Sequence, residues 1–273
     1  MNIPNLQKQR IVEYLKQGKR FDGRKPEEYR KIEIRTGISN KAEGSASVKF
    51  GETEVYAGVK LDVMTPYPDS QDAGVFITSA ELNPMASAEF ESGPPRIEAI
   101  ELGRIIDRGI RESGFIDFKK LCIKEGEKVW SVALDIYAIN DAGNLMDVAN
   151  LASLIALANT KMLKYNEKEE KVEHGELTKE SLPLNKEAMS FNITVHKIRN
   201  VFVLDPTSEE QEISDSRISF AVCSNKNKIR ISSIQKGKEG ALTAEEIGKI
   251  LNLVEDKWKE MSPQILKYVW DKE

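Results

Sequence analysis

The chain has 273 residues, of which 40% are hydrophobic and 31% are charged, and its formal net charge is −4. This length and composition predict a sizeable core, built as one large α/β domain or as two similar halves. The acidic balance argues against a free-standing nucleic-acid binder, because such proteins gain affinity by neutralising phosphates and are usually basic; contact with RNA would need a local basic stripe or a partner.

The amino-terminal segment predicts an amphipathic helix over residues 6–17, with Leu6, Ile11, Val12 and Leu15 on one side. It mixes charged and apolar residues and lacks the apolar core of a signal peptide. No run of about 18 apolar residues occurs, so no transmembrane helix is expected. These features predict a cytoplasmic protein with no membrane partner.

A turn-rich link, "FDGRKPEEYR", leads into strands over residues 31–82. Within them, "GSASVKFGETEVYAGVKLDV" predicts two strands joined at the turn Gly51-Glu52, and "GVFITSAEL" predicts another. After a proline-rich loop, "RIEAIELGRIIDRGIRES" predicts a helix over residues 96–113. Its expected apolar side consists of Ile97, Ile100, Leu102, Ile105, Ile106 and Ile110.

The order of elements then repeats. The stretch "KLCIKEGEKVWSVALDIYAIND" predicts two strands, and "AGNLMDVANLASLIALANTKML" predicts a helix of small residues that can approach a sheet closely. The charged, poorly patterned residues 164–190 predict a solvated excursion. Further strands follow in "SFNITVHKIRNVFVLD", "RISFAVCSN" and "KIRISSIQKG", and a last helix begins with Thr243 as N-cap and Glu246 completing a capping box.

This repeated sheet–helix order predicts an α+β fold of two pseudo-symmetric βα halves packed on each other. The predicted segments are an N-terminal helix and lead-in (1–20), a first half with the central strands and helix (21–163), the charged excursion (164–190), and a second half with the C-terminal helix (191–273). The duplication rests on element order alone, because no sequence identity between the halves is visible.

Cysteine and histidine are too sparse to predict a disulfide framework or a zinc site. Cys122 and Cys223 lie in strand-like runs, which favours buried thiols in a reducing cytosol. His174 and His196 have no recognisable zinc-ligand spacing with them. No zinc site is therefore predicted, and no Walker or dinucleotide fingerprint occurs.

Arg104, Arg108 and Arg111 lie at i, i+4 and i+7 on the polar side of the helix over residues 96–113. One interpretation is a stripe that contacts phosphates, since guanidinium groups match phosphate oxygens. The alternative is a solvated face with ion pairs, because Glu101 lies three residues before Arg104 and Asp107 four before Arg111. Spacing alone favours the second interpretation.

Two further motifs have local structural interpretations. In "FDGRKPEEYR" the pair Asp22 and Arg24, close to Arg30, is typical of a turn held by its own side chains. Asp141 precedes the small-residue helix, and we expect it to cap that helix rather than to face a ligand.

An acidic loop, "LDPTSEEQEISDSRISFAV" (204–222), contains Glu209, Glu210, Glu212 and Asp215. Carboxylates of this kind could bind magnesium together with water and substrate phosphates. A solvated acidic loop would give the same pattern. Spacing cannot separate the two.

Three blocks, "FDGRKPEEYR", "GSASVKFGETEVYAGVK" and "WSVALDIYAINDAGNLMDVANLASLIALAN", resemble the RNase PH family over residues 20–260. That family consists of phosphate-dependent 3′→5′ exoribonucleases with duplicated βα halves, assembled in six-membered rings. The resemblance implies that active members carry an arginine for phosphate at position 98 and aspartates at positions 211 and 217. This chain has Glu98, Gln211 and Arg217 there, and all three departures oppose the reaction.

The resemblance therefore implies a non-catalytic subunit of an archaeal exosome, a phosphorolytic 3′→5′ exoribonuclease complex. The implied partners are a catalytic paralogue in a ring of three heterodimers, RNA-binding cap subunits and single-stranded RNA. Phosphate and Mg²⁺ would act in the paralogue's active site. Arg104 and Arg108, and less strongly Arg111, would contact the RNA. The alternatives are an active metal-dependent nuclease that uses residues 209–215, and a ring-forming binding module unrelated to RNA decay.

Overall fold

The computed structural model describes residues 3–225 and 228–270. The ends of the predicted first and last segments, 1–2 and 271–273, lie outside the described residues. The helices are α1 (Asn5–Lys16), α2 (Ile97–Ser113), α3 (Leu145–Ala158), α4 (Ser208–Ile213) and α5 (Ala244–Trp270), and single 3₁₀ turns span Phe118–Leu121 and Lys186–Ala188.

The first sheet has six strands and is antiparallel except at one pair. Its order is β1 (Ile32–Thr36), β2 (Gly44–Phe50), β3 (Thr53–Met64), β6 (Lys128–Asn140) and β4 (Val75–Leu82), with β5 (Cys122–Lys124) paired to β6. The pair β4–β6 is parallel. The predicted turn between β2 and β3 is confirmed, since Gly51 has a φ of +57°. That conformation suits glycine because it has no Cβ.

The strands of "KLCIKEGEKVWSVALDIYAIND" do not begin a second sheet, although the repeated order of elements indicated one. They are β5 and β6, and β6 lies between β3 and β4 in the first sheet. A long strand buried along most of its length needs partners on both edges. The local pattern showed the strand but could not show those partners.

The second sheet is antiparallel, in the order β10 (Val201–Leu204), β9 (Ser190–Ile198), β11 (Ser216–Asn225) and β12 (Lys228–Gly237). Helices α2 and α3 each contact both sheets, and α5 packs against β9 and α3. Residues 147–157 of α3 are all buried, which the small-residue composition allows. The predicted α+β fold with a sheet-and-helix unit in each half is confirmed.

The helix α2 begins one residue after its predicted start and ends at its predicted residue, but two of the six residues assigned to its apolar side are exposed. Ile97 is 71% exposed and Ile100 is 44% exposed, whereas the other four are buried. At 3.6 residues per turn, these two isoleucines lie on one row with Arg104, at i−7 and i−4. They therefore belong to the solvent-facing side that carries the arginines.

The predicted excursion over residues 164–190 contains more regular structure than its sequence indicated. Strands β7 (Lys161–Asn166) and β8 (Lys171–Ser181) form a hairpin whose side chains are mostly exposed. Cross-strand ion pairs of Lys164 with Glu173 and Glu176, at 2.6 and 3.2 Å, connect its strands. Because neither face is fully buried, no apolar alternation marks these strands.

The termini and thiols agree with their predictions in part. The capping box of α5 forms, since Thr243 N donates to Glu246 at 2.9 Å and Glu246 N donates to Thr243 Oγ1 at 3.2 Å. Both cysteines are free, but only Cys223 is buried, and burial raises the pKa of its thiol. Within the described ranges, no helix is long and apolar enough to cross a membrane.

Candidate functional site

The acidic loop is anchored by arginines from the other end of the chain. Its residues 208–213 form α4, which begins with a capping box between Thr207 and Glu210. Arg20, only 2% exposed, donates to the Glu210 carboxylate and to the main-chain oxygens of Leu204 and Asp205 at 3.0 and 2.8 Å. Glu210, itself 5% exposed, thus has a buried partner and acts as a structural anchor.

Asp205 is the centre of a second anchor. Its carboxylate accepts hydrogen bonds from Arg24 at 2.9 Å, from Arg30 at 2.6 and 2.8 Å, and from Asn144 at 2.9 Å. Burial would raise the pKa of Asp205, but the hydrogen bonds and charge of Arg30 outweigh it and hold that pKa below its usual value. Asp22 accepts from Arg24 at 2.8 Å, so the predicted structural role of this motif is confirmed.

The other carboxylates of the loop have separate partners. Glu209 accepts from the Gln7 side chain at 2.6 Å, and Asp215 accepts from the Arg199 main-chain nitrogen at 2.6 Å. Glu212 is exposed on α4. Among the described residues, no three His, Cys, Asp or Glu side chains converge as a metal site requires.

Gln211 and Arg217 contact different neighbours. The Gln211 side-chain oxygen accepts from the main-chain nitrogen of Asn144 at 3.1 Å, ahead of α3. Arg217, on β11, donates to Glu101 of α2 at 2.5 Å. Lys238 binds the end of the acidic loop. Its ammonium donates to the main-chain oxygens of Gln211, Glu212 and Ser214.

Two cations, Arg217 and Lys238, lie near the buried His196. Burial lowers the pKa of Lys238. Burial, and then the charges of Arg217 and Lys238, lower the pKa of His196 to about 3, so this buried histidine is neutral. A guanidinium in this position repels a divalent cation.

Glu98 lies in the first turn of α2, one turn before Glu101, and its side chain is exposed. It lines a cavity of about 340 Å³ together with Glu81, Glu91 and Arg96. Glu98 and Arg217 therefore lie near the same end of α2, joined through the Glu101 contact. Gln211 contacts Lys238 and Ser214 through its main-chain oxygen.

The three arginines of α2 differ in their surroundings. Arg104 and Arg108 are exposed and line a groove of about 520 Å³ between α2 and β4. In the described part of the chain neither guanidinium has a hydrogen bond or an ion pair. The Glu101–Arg104 pair that the alternative interpretation required does not form, because Glu101 contacts Arg217.

Arg111 is held within the protein. It bonds to Asp107 at 2.8 and 3.0 Å and to the main-chain oxygen of Phe76 at 2.9 Å. Its guanidinium also lies 5.6 and 5.7 Å from the ring centres of Phe76 and Phe118. The hydrogen bond with Asp107 raises the pKa of Arg111. The Asp107–Arg111 pair that the spacing indicated therefore forms.

The start of α3 corrects one prediction and reveals a site that the sequence did not indicate. Asp141 does not cap α3; it accepts from Gly143 at 2.9 Å, while Asn144, with a φ of +60°, occupies the N-cap position. Asp147 is fully buried and accepts hydrogen bonds from Tyr29, Asn144 and Thr194. Burial raises the pKa of Asp147 to about 7.

Comparison with known proteins gives one consistent family. The family model described as "3' exoribonuclease family, domain 1" matches residues 28–162, and "domain 2" of the same family matches residues 188–255. The exosome complex component Rrp42 of Methanocella arvoryzae is 44% identical over 93% of this chain and 94% of its own length. The protein of the same name from Methanothermobacter thermautotrophicus is 40% identical over 98% of this chain and 95% of its own length.

Solved structures agree. A chain of the Archaeoglobus fulgidus exosome with RNA bound to the active site superposes with a TM-score of 0.83 at 36% identity, over 95% of this chain and 98% of its own. A chain of an archaeal exosome core gives a TM-score of 0.77 at 35% identity, over 91% of this chain and 92% of its own. Rice Rrp46, at 14% identity and a TM-score of 0.66, covers 92% of this chain and 100% of its own, and it shares the fold alone.

Proposed function

The chain belongs to the RNase PH family of 3′ exoribonucleases, and from that membership we propose that it is the non-catalytic subunit of an archaeal exosome. Relatives that are 40–44% identical over nearly the whole chain are exosome complex components, which supports the same assembly. The complex would degrade RNA from its 3′ end by phosphorolysis. A catalytic paralogue would carry out the chemistry.

The observation that carries this proposal is the ion pair between Arg217 and Glu101. By resemblance to the family, position 217 should hold a metal-binding aspartate and position 98 a phosphate-binding arginine. Here position 217 is a cation that neutralises a glutamate of α2, and position 98 is an exposed carboxylate. Charge is inverted at both positions, so the electrostatic requirements for phosphate and metal are both reversed.

The residues of this chain do not fit Mg²⁺ or the attacking phosphate. The Gln211 side-chain oxygen is bonded to Asn144 and offers no ionised ligand. The buried carboxylate of Asp205 is already bound by Arg24 and Arg30, and that of Glu210 by Arg20. We therefore assign phosphate and Mg²⁺ to the active site of the paralogue.

The contribution of this chain to RNA binding is proposed for the groove beside α2. Two exposed guanidinium groups, those of Arg104 and Arg108, lie one helical turn apart along it. Such groups bind phosphates irrespective of base sequence, which suits a channel for single-stranded RNA. Arg111 is the weakest of the three, because the contacts with Asp107 and Phe76 occupy it. The exposed Arg104 and Arg108 would allow a mildly acidic chain to hold RNA.

The proposed assembly is a ring of three heterodimers with the paralogue, completed by RNA-binding cap subunits. The exposed side chains of Ile97 and Ile100, which lie side by side on the helix, favour a subunit interface at the start of α2. Exposed apolar residues next to a functional groove are typical of a protein interface.

Reconstitution tests this function. The chain alone, the paralogue alone and the assembled mixture are incubated with adenine-rich single-stranded RNA, phosphate and Mg²⁺, and nucleoside diphosphates are measured. Product from the mixture above that of the paralogue alone, with none from this chain, is expected. Product from this chain alone would establish the alternative of an active nuclease, and a mixture without any effect would favour a module unrelated to RNA decay.

A further inference from the structure

Helix α2 has a single side-chain-to-side-chain bond with the second sheet in the described part of the structure. It joins Glu101 to Arg217 at 2.5 Å, and the two side chains are 29% and 14% exposed. The other polar links from that sheet to α2, from Ser232 and Arg230, reach main-chain oxygens at 3.3 Å. Glu101 thus has one specific partner.

The same carboxylate is placed to pair with Arg104. The two residues are three apart on the helix, a spacing at which oppositely charged side chains meet. Among the residues that the structure describes, Arg104 nevertheless has no ion-pair partner, and Glu101 is turned towards the sheet. Any change that removed the Arg217 guanidinium would release Glu101 to the next available cation.

Gly237 of β12 packs directly against the Arg217 guanidinium. A Cβ built at Gly237 would lie 2.3 Å from Nη2 of Arg217 and 2.6 Å from its Cζ. Real Cβ atoms do not approach other atoms so closely, so any larger residue must displace this flexible group. Gly237 therefore keeps Arg217 in reach of Glu101.

From this geometry we propose that Arg217 is a positioning residue for RNA: it holds Glu101 away from Arg104 and leaves the Arg104 guanidinium free to bind an RNA phosphate. This inference rests on the proposed RNA-facing role of α2. It gives the residue at a degenerate catalytic position a new role in the same process. Arg217 itself need not touch RNA.

The expected loss of RNA affinity follows from the strength of the competing ion pair between Glu101 and Arg104. Exposed ion pairs and pairs three or four apart on a helix contribute about 0.2–1 kcal/mol, equivalent to about 1.4- to fivefold in an equilibrium constant. Release of Glu101 should therefore weaken RNA binding about 1.4- to fivefold. Because salt screens the competing pair, the deficit should shrink as the salt concentration rises.

The test uses the assembled ring and fluorescein-labelled single-stranded RNA, with the affinity measured by anisotropy over a range of salt. Two variants release Glu101 by different means: Arg217→Gln removes the cation, and Gly237→Ala displaces it at constant net charge. Both should weaken RNA binding, raise KM for RNA and leave kcat unchanged. Arg217→Lys, which keeps a cation near Glu101, should bind nearly as the parent does.

Rescue separates this role from a general effect of charge. Adding Glu101→Gln to either variant should restore affinity, because the competing carboxylate is gone. The matched control is Glu98→Gln, which removes an equal charge one turn earlier on the same helix and should not restore the affinity. Unchanged affinity in Gly237→Ala, no rescue by Glu101→Gln, or equal rescue by Glu98→Gln would each overturn the proposal.

The combined variant Arg104→Gln/Arg108→Gln distinguishes failure here from failure of the proposed function. If it leaves RNA affinity and salt dependence unchanged, α2 does not contact RNA and the RNA-binding part of the proposed function is wrong. If it weakens binding but Gly237→Ala does not, only the positioning role is wrong. Size-exclusion chromatography verifies ring assembly for each variant before binding is measured.

Discussion

Replacing Arg20 by methionine tests whether the acidic loop is a structural anchor. The arginine is 2% exposed and binds the carboxylate of Glu210, which is 5% exposed. Methionine preserves much of the packing but leaves Glu210 as a buried carboxylate without a cation. Removing one partner of a buried pair costs about 3–5 kcal/mol, and we expect this loss in the free energy of unfolding.

Urea unfolding of the isolated chain, followed by circular dichroism, measures the change. The double variant Arg20→Met/Glu210→Met should be more stable than the single one, because an apolar pair leaves no unpaired charge. The matched control is Glu212→Ala, at an exposed position of the same short helix, which should change stability by no more than about 0.5 kcal/mol. A loss below about 1 kcal/mol for Arg20→Met, or a double variant less stable than the single, would refute the reasoning.

Three further outcomes are expected. With the pKa of Asp147 raised to about 7 by burial, the folded chain keeps a proton between pH 4 and 7 that the unfolded chain loses, so stability falls as pH rises. As the pH rises from 4 to 8, the free energy of unfolding of Asp147→Asn should increase by about 4 kcal/mol relative to that of the parent, measured by urea titration. A difference between the two proteins that stays constant with pH would contradict this. Arg104→Gln/Arg108→Gln should flatten the slope of log affinity for single-stranded RNA against log salt by about 1.4, and an unchanged slope would return both residues to a solvated face. Gln211→Ala should cost about 1 kcal/mol of stability while phosphorolysis by the ring stays nearly unchanged; a large loss of kcat would contradict a non-catalytic position.

Local patterns predicted the elements whose signals are local. Residues 96–113 carried a clear helical period, and the capping box of Thr243 and Glu246 formed as its four-residue signature indicates. The resemblance to the RNase PH family predicted the fold, which the structure and relatives confirm. The capping prediction for Asp141 was wrong. Asp141 is a polar residue shortly before a helix, but its carboxylate accepts from the main-chain nitrogen of Gly143.

Long-range partners lay beyond what the sequence could show. Arg20 and Glu210 are 190 positions apart, and nothing in either segment indicates the other. The same limit applies to Glu101, whose spacing predicted a bond to Arg104 but whose carboxylate meets Arg217 on the second sheet. Burial against a distant strand decided the pairing, because the partly buried guanidinium needs a counter-charge.

The most direct test of the central claim is phosphorolysis by a ring assembled from this chain and a catalytically dead paralogue. Assembly gives this chain every partner that it could need, so the only intact candidate centre is its own. With single-stranded RNA, phosphate and Mg²⁺ present, we predict RNA binding without release of nucleoside diphosphates. Release of nucleoside diphosphates by that ring would contradict the account and would assign a working active site to the region around Glu98, Gln211 and Arg217.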